Sequence, residues 1–94
     1  MIRYKAGYKF VDTGVHAQVL DFPAAITCAP DLEEARRLLA VALADVAEAA
    51  VESGDPLSVP DPAVSDPAMD IEEPIYLHLI TSTEIREMPA GVVS

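Results

Sequence analysis

Apolar and polar residues alternate along the first ten positions of the chain. In residues 2–10 the even positions are apolar or aromatic, and the odd positions are basic or glycine. Alternation with period two is typical of a strand with one face in a core and the other in water. We therefore predict a first strand over Ile2–Val11. A tight turn at Asp12–Gly14 follows, in which Gly14 can supply a positive φ.

Two shorter segments continue this pattern. Residues 15–20 alternate again, and this run ends at Asp21–Phe22–Pro23, because proline cannot donate to a ladder. Residues 25–29 are apolar enough for a short third strand. Together the three segments predict an antiparallel meander.

A helix is predicted over Asp31–Ser53. Asp31 can accept a hydrogen bond at the N-terminus, and Glu34 stands three positions later, as in a capping box. Apolar residues then recur at helical spacing, while Ala40 and Ala47 are predicted on the outer face. Gly54 is suited to the left-handed position that ends a helix.

The rest of the chain holds one more strong apolar segment. Residues 55–74 form a Pro-rich, acidic excursion without a core pattern of their own. Ile75–Ile80 is almost wholly apolar, which predicts an interior strand buried on both faces. Thr81–Met88 is long enough for a short helical turn, and 89–94 is predicted to be a loose tail. The chain is thus predicted to be one α+β domain over 1–94, of order β-β-β-α-β, with one long helix on one face of an antiparallel sheet.

The charge balance restricts the partners of this domain. Six basic and sixteen acidic side chains give a formal net charge of −10, which repels phosphate backbones, so we expect no direct binding of nucleic acid. The single cysteine, Cys28, cannot form an intrachain disulfide and is predicted to be a small buried residue. With no secretory signal and no apolar segment of membrane-spanning length, we expect a cytoplasmic protein.

The residues needed for catalysis are not brought together by this pattern. Two-metal nuclease chemistry needs several converging carboxylates, but the predicted strands 2–11 and 75–80 contain no acid, and Asp12 falls in a turn. His16 lies on the polar register of its strand, which indicates a surface imidazole. His78 is predicted to be a hydrogen-bonded packing residue. We predict no catalytic residue, no metal site and no cofactor.

Residues 21–35, from Asp21-Phe22-Pro23 to Glu33-Glu34-Ala35, resemble the pattern of HicB-like antitoxins without a gap. Glu52-Ser53-Gly54-Asp55-Pro56 is similar to the helix exit of that family, and the resemblance covers residues 1–80. Ala24 and Ala29 stand where the family usually has glycines. The resemblance implies a partial RNase H-like fold that neutralises a small basic, RNA-cleaving toxin of the HicA type. Only fourteen residues follow Ile80, too few for the DNA-binding module that some members carry.

The leading hypothesis is therefore an antitoxin-like domain, and the alternative is an orphan homo-oligomeric domain with another regulatory or structural role. A neighbouring gene for a short basic protein would favour the first. We expect acidic residues at the helix start and in the Pro-rich segment to contact the partner, namely Glu33, Glu34, Asp55, Asp61, Asp66 and Asp70. Self-association is also expected, with the basic first strand at a sheet edge and with Ala40, Ala44 and Ala47 on the outer helix face.

Overall fold

The computed structural model describes residues 1–78. Its elements, in chain order, are β1 (Ile2–Val11), β2 (Gly14–Val19), β3 (Ile26–Ala29), α1 (Leu32–Ser53) and β4 (Ile71–Leu77). The predicted order and the α+β class are confirmed. The helical turn predicted at Thr81–Met88 and the tail predicted at 89–94 lie outside the described residues.

The four strands form one antiparallel sheet in the order β3-β2-β1-β4. A two-residue turn joins β1 to β2, and Val11 pairs with Gly14 across it. Gly14 has a φ of 152°, and a Cβ at this position would lie 2.2 Å from the carbonyl oxygen of Ala29. No side chain fits there, so glycine is required both for the backbone angle and for the close approach of β3.

The positions of β1 and β4 in the sheet correct two predictions. β1 lies between β2 and β4, so the basic first strand is not at an edge. β4 is an edge strand that begins at Ile71, and the Pro-rich segment therefore ends at Asp70. The sequence of a short apolar run does not show which of its residues face the core. Here Ile75 and Leu77 face the core, while Tyr76 is 48% exposed.

Both ends of α1 are capped as the sequence predicts. Asp31 Oδ1 accepts a hydrogen bond from the Glu34 backbone N–H at 2.8 Å. At the other end, Gly54 adopts a φ of 77° and its N–H donates to the carbonyl of Val51 at 3.1 Å. The reciprocal bond of a capping box is absent from the described contacts, because the Glu34 carboxylate accepts from Arg37 instead.

One face of α1 packs on one face of the sheet. The fully buried helix residues recur every four positions, at Ala35, Leu39, Leu43 and Ala47. The prediction that Ala47 lies on the outer face is wrong, because the repeat of four extends the buried stripe to this residue. Tyr4, Tyr8, Val19 and Leu77 are the largest fully buried side chains of the sheet.

Cys28 is exposed, which contradicts the prediction of a buried thiol. It lies on β3 between Thr27 and Ala29, which point toward the helix side, so its own side chain points away. Ala24 and Ala29 both use ordinary φ values, since no residue other than glycine has a positive φ within residues 1–78. None of the helical structure in this range has the length and hydrophobicity that crossing a bilayer requires.

Candidate functional site

The metal-ligating side chains of the described residues are scattered. No group of three or more His, Cys, Asp or Glu side chains within residues 1–78 is arranged to hold a metal ion. His16 is exposed on β2, as predicted. His78 is exposed as well, so the predicted packing role is wrong. It follows Tyr76 on the sheet face opposite α1, which we call the open face.

Most described basic side chains bind acids of the same chain. Arg36 forms two hydrogen bonds with the Glu73 carboxylate, at 2.9 and 3.0 Å. Arg37 forms a comparable pair with Glu34 one turn earlier. Lys5 Nζ lies 3.8 Å from Glu72 Oε1. These three pairs leave Arg3 and Lys9 as the basic side chains of residues 1–78 without an acidic partner in that range.

Tyr8 lies beneath one of these ion pairs. Its ring centroid is 6.0 Å from the Arg36 guanidinium, which binds Glu73. Burial and the neighbouring Glu73 carboxylate raise the pKa of Tyr8 to about 12, because both disfavour the phenolate. Arg36, Glu73 and Tyr8 therefore form a unit that holds α1 on the sheet beside β4.

The Pro-rich segment contains two turns of the same sequence, Asp-Pro-Ala. In the first, the Val64 N–H donates to the Asp61 carbonyl at 3.0 Å and the Ala63 N–H donates to Asp61 Oδ1 at 3.0 Å. In the second, the Met69 N–H donates to the Asp66 carbonyl and the Ala68 N–H to Asp66 Oδ1. Aspartate followed by proline is typical of such turns.

Aspartates also attach this segment to the sheet. Asp21 Oδ1 accepts from the Lys5 N–H at 2.9 Å, and its Oδ2 accepts from the Asp61 N–H at 3.0 Å. At the far end, Asp70 Oδ2 accepts from the Phe10 N–H at 2.8 Å. Because Asp61 is connected to β1 through Asp21 and Asp70 is bonded to β1 directly, the segment is attached to the sheet and is not a free stretch of chain.

Side chains along the same route complete the attachment. The Tyr4 hydroxyl donates to the Ser58 carbonyl at 2.7 Å, and Lys5 Nζ donates to the Val64 carbonyl at 2.7 Å. Met69 and Leu20 cover Gly7, where a Cβ would come within 2.8 Å of Met69 Cγ. The anchor Asp21 belongs to the sequence pattern described above, but nothing in the sequence shows which two amides its carboxylate accepts from.

The six acids predicted to contact a partner are therefore divided among several tasks. Asp61, Asp66 and Asp70 bind backbone amides of their own chain, and Glu34 binds Arg37. Glu33 and Asp55 are exposed, and the carboxylate of neither forms an ion pair with a basic side chain of residues 1–78. They flank opposite ends of α1, roughly 33 Å apart at 1.5 Å per residue. The structure does not gather the six into one site.

The outer face of α1 is a further acidic surface, which the sequence reasoning did not select. Asp45 and Glu52 are exposed there, beside Val41 and Val51, which are 48% and 42% exposed. No basic residue occupies the last turn, although a helix C-terminus favours positive charge. The signal in the sequence was the spacing of seven between Asp45 and Glu52, which places them on one helix face.

A cleft of about 410 Å³ opens where the Pro-rich segment meets the sheet. Basic and acidic groups both line it, among them Arg3, Lys5, Asp21 and Asp61. Most of these groups already bind each other or the backbone, so the cleft shows no unused set of groups for a ligand.

The fold matches that of a solved antitoxin domain and that of a chain in a solved toxin–antitoxin complex. The N-terminal domain of the Burkholderia pseudomallei antitoxin HicB aligns with a TM-score of 0.69 at 14% identity, covering 83% of this chain and all of that domain. A chain of the HicA3 and HicB3 toxin–antitoxin complex aligns with a TM-score of 0.66 at 19% identity, covering 82% of this chain and 99% of that one. No family model and no curated protein sequence matches. The predicted HicB-like fold is thus confirmed.

Proposed function

We propose that this chain is an antitoxin-like protein-binding domain that neutralises a small basic, RNA-cleaving toxin of the HicA type. The observation that carries the proposal is the likeness in fold to an antitoxin domain over more than four fifths of the chain. The second similar structure is a toxin–antitoxin complex. A role as a binding protein also agrees with the scattered placement of the acids and histidines in residues 1–78.

The excess of acidic groups suits a basic partner. Three of the basic side chains are held by Glu34, Glu72 and Glu73, so the remaining carboxylates dominate the surface field. The same field opposes the approach of nucleic acid to the chain alone. In this proposal the chain is not an enzyme, and it acts in the cytoplasm by covering its partner.

Two groups of acids are assigned to the partner surface. The first comprises Glu33 and Glu34 at the start of α1 and Asp55 after its end. The second comprises Asp61, Asp66 and Asp70, which keep their negative charge while their oxygens accept from backbone amides. The outer face of α1, with exposed Asp45 and Glu52 beside Val41, connects the two ends of the first group. Acids of this kind raise the rate of encounter more than the final affinity.

The decisive experiment is to isolate the affinity-tagged chain from its native host and identify what co-purifies. A basic protein of roughly the size expected for a single small domain is then expressed alone and tested for RNA cleavage. We expect cleavage to stop at one equivalent of this chain. Failure to recover such a protein, or cleavage that continues with the chain bound, would refute the proposal and favour the orphan domain.

The assignment of the acids is tested with two charge-matched triple variants. Asp61→Asn, Asp66→Asn and Asp70→Asn remove three charges but keep an oxygen that can accept from each amide. Asp45→Asn, Glu52→Gln and Asp55→Asn remove three charges from α1 and its exit. We expect each set to slow association with the toxin several-fold. A set that associates at the unmodified rate is excluded from the partner surface.

A further inference from the structure

We infer that the free edge of β3 binds an extended segment of the proposed basic partner, in which apolar and basic residues alternate and which pairs antiparallel with β3. The inference rests on the proposed function for the identity of the partner. The site and its chemistry follow from the backbone of β3 and from the flank of α1 above it. A backbone contact is thereby added to the charge contacts proposed above.

The hydrogen bonds at the ends of β1 determine which backbone groups face each neighbour. The Lys5 N–H and carbonyl bond to Asp21 and Leu20, which directly follow β2. The Tyr8 carbonyl accepts from the Asp70 N–H, directly before β4. Backbone groups point alternately to the two neighbouring strands. Odd-numbered residues of β1 therefore bond to β2, and even-numbered residues bond to β4.

The same alternation continues across β2 to β3. Odd residues of β1 bond to even residues of β2, so the odd residues of β2 face β3, and the bond from the Val19 N–H to the Ala25 carbonyl agrees with this. In the register of β2 with β3, Ile26 and Cys28 consequently point their N–H and carbonyl groups away from the sheet. Because β3 is the last strand on this side, no strand of residues 1–78 pairs with these four groups.

The two edges of the sheet are protected to different degrees. On β4 the outward-facing residues are Glu72, Pro74 and Tyr76, so the middle position lacks a donor and its neighbour carries a charge. Proline and charge are common means of keeping an edge strand unpaired. β3 contains neither, and Ile26 is 60% exposed beside the exposed Cys28. β3 is therefore the edge that can accept a further strand.

One flank of α1 lies above this edge. Arg36 binds Glu73 of β4 on the other flank, and at about 100° per residue Leu38 and Asp45 lie on the opposite side of the helix, toward β3. Leu38 is half-buried against the core, whereas Asp45 is exposed and Val41 is 48% exposed. The flank thus offers apolar surface together with a carboxylate.

The charge around the edge favours a basic occupant. Residues 38–70 contain no Lys or Arg but seven acids, namely Asp45, Glu48, Glu52, Asp55, Asp61, Asp66 and Asp70. A second copy would bring the same acids against them, whereas a basic segment would neutralise them.

The two faces of the sheet determine the alternation in the segment. Residues that pair directly with Ile26 place their side chains on the open face, where Ile26 is exposed and Lys9 disfavours another cation. The residues between them lie under the α1 flank. There a lysine stem can cover Leu38 while its ammonium group reaches Asp45. The segment therefore alternates apolar and basic residues, and the N–H groups of the apolar residues point at β3.

The test is an NMR titration of the full chain with a capped seven-residue peptide that alternates valine and lysine. We expect shifted amide signals and slower amide exchange at Ile26 and Cys28. N-methylation of two valines removes N–H groups directed at β3 and should raise the Kd at least about tenfold. N-methylation of two lysines, whose N–H groups face solvent, is the matched control and should leave the Kd unchanged. A peptide with glutamate in place of lysine should bind at least about tenfold more weakly.

Variants of the chain test the same contact from the other side. Cys28→Pro removes an outward N–H without touching the bonds to β2, and it should weaken binding of the valine–lysine peptide at least about tenfold with unchanged far-UV circular dichroism. Cys28→Ala, which keeps the N–H, and Tyr76→Lys, at an exposed position on β4, should bind the peptide normally. With the purified toxin, Cys28→Pro should speed dissociation several-fold and leave association unchanged.

Equal affinity for the two N-methylated peptides overturns the inference. So does slow exchange at Ile26 and Cys28 in the chain alone, since a second copy would then occupy the edge. Toxin that dissociates from Cys28→Pro at the unmodified rate overturns it as well. Because the peptide titration needs no toxin, its failure refutes the site and leaves the proposed function standing. Failure to recover a toxin refutes the identity of the partner but not the site.

Discussion

Single carboxylate oxygens do much of the positioning in this small domain. Asp31, Asp21 and Asp70 each accept from backbone N–H groups at distances of 2.8–3.0 Å. Substitution by asparagine keeps an oxygen acceptor and removes the charge, which separates the structural role of an acid from its part in binding.

The cap of α1 gives the simplest prediction at this scale. Asp31→Ala removes the acceptor of the Glu34 N–H and should lower the free energy of unfolding by about 1 kcal/mol. Asp31→Asn should stay within a few tenths of a kcal/mol of the unmodified chain, since asparagine caps helices comparably. Urea unfolding followed by circular dichroism measures both. Equal losses in the two variants would show that charge, and not capping, stabilises this end.

Tyr8 predicts a loss of stability in alkaline solution. Its pKa is raised to about 12 by burial and Glu73, whereas an unfolded tyrosine titrates near 10. From pH 10 upward the unfolded state loses the proton first, so the free energy of unfolding should fall as the pH rises toward 12. Tyr8→Phe should show a smaller fall, and the part that remains includes Tyr4, whose pKa is also raised by burial and by Asp21. Identical pH profiles would contradict the assignment to Tyr8.

At the scale of elements, α1 was predictable because its signals are local. Asp31 and Gly54 mark its ends within one turn each, and the buried stripe follows from the spacing of Ala35 and Leu39. β4 was predicted four residues late because Glu72, Glu73 and Pro74 are poor strand residues by composition. They are accommodated because Glu73 pairs with Arg36 and Pro74 turns its missing donor outward. Neither fact is visible in the segment alone.

From the two Asp-Pro-Ala turns we predict that the Asp61 and Asp66 side chains keep the Pro-rich segment ordered. Asp61→Ala with Asp66→Ala removes both side-chain acceptors, each worth about 0.5–1.5 kcal/mol. Residues 55–70 should then be cleaved faster by an added protease and exchange amide hydrogens faster. Asp61→Asn with Asp66→Asn should resemble the unmodified chain in both assays. If the asparagine pair is cleaved as fast as the alanine pair, the turns depend on charge.

At the scale of the whole molecule, the charge predicts a strong effect of salt on capture of the proposed toxin. Raising the ionic strength from about 0.05 to 0.5 M shortens the Debye length from roughly 14 to 4 Å. Association should slow by about tenfold or more, while dissociation changes little. Stopped-flow mixing with the isolated toxin measures the two rates separately. If salt changed only the dissociation rate, the acids would act within the bound complex and would not speed the encounter of the two proteins.

The central position of β1 has a consequence for the order in which the chain folds. β1 is made first during synthesis and can pair at once with β2, but its other neighbour begins sixty positions after β1 ends, from Val11 to Ile71. Such distant pairings form slowly, since the intervening chain must first be brought together. One side of the central strand thus waits, unpaired, until almost all of the described chain has been synthesised. Any delay in β4 leaves that side open to capture by another nascent copy.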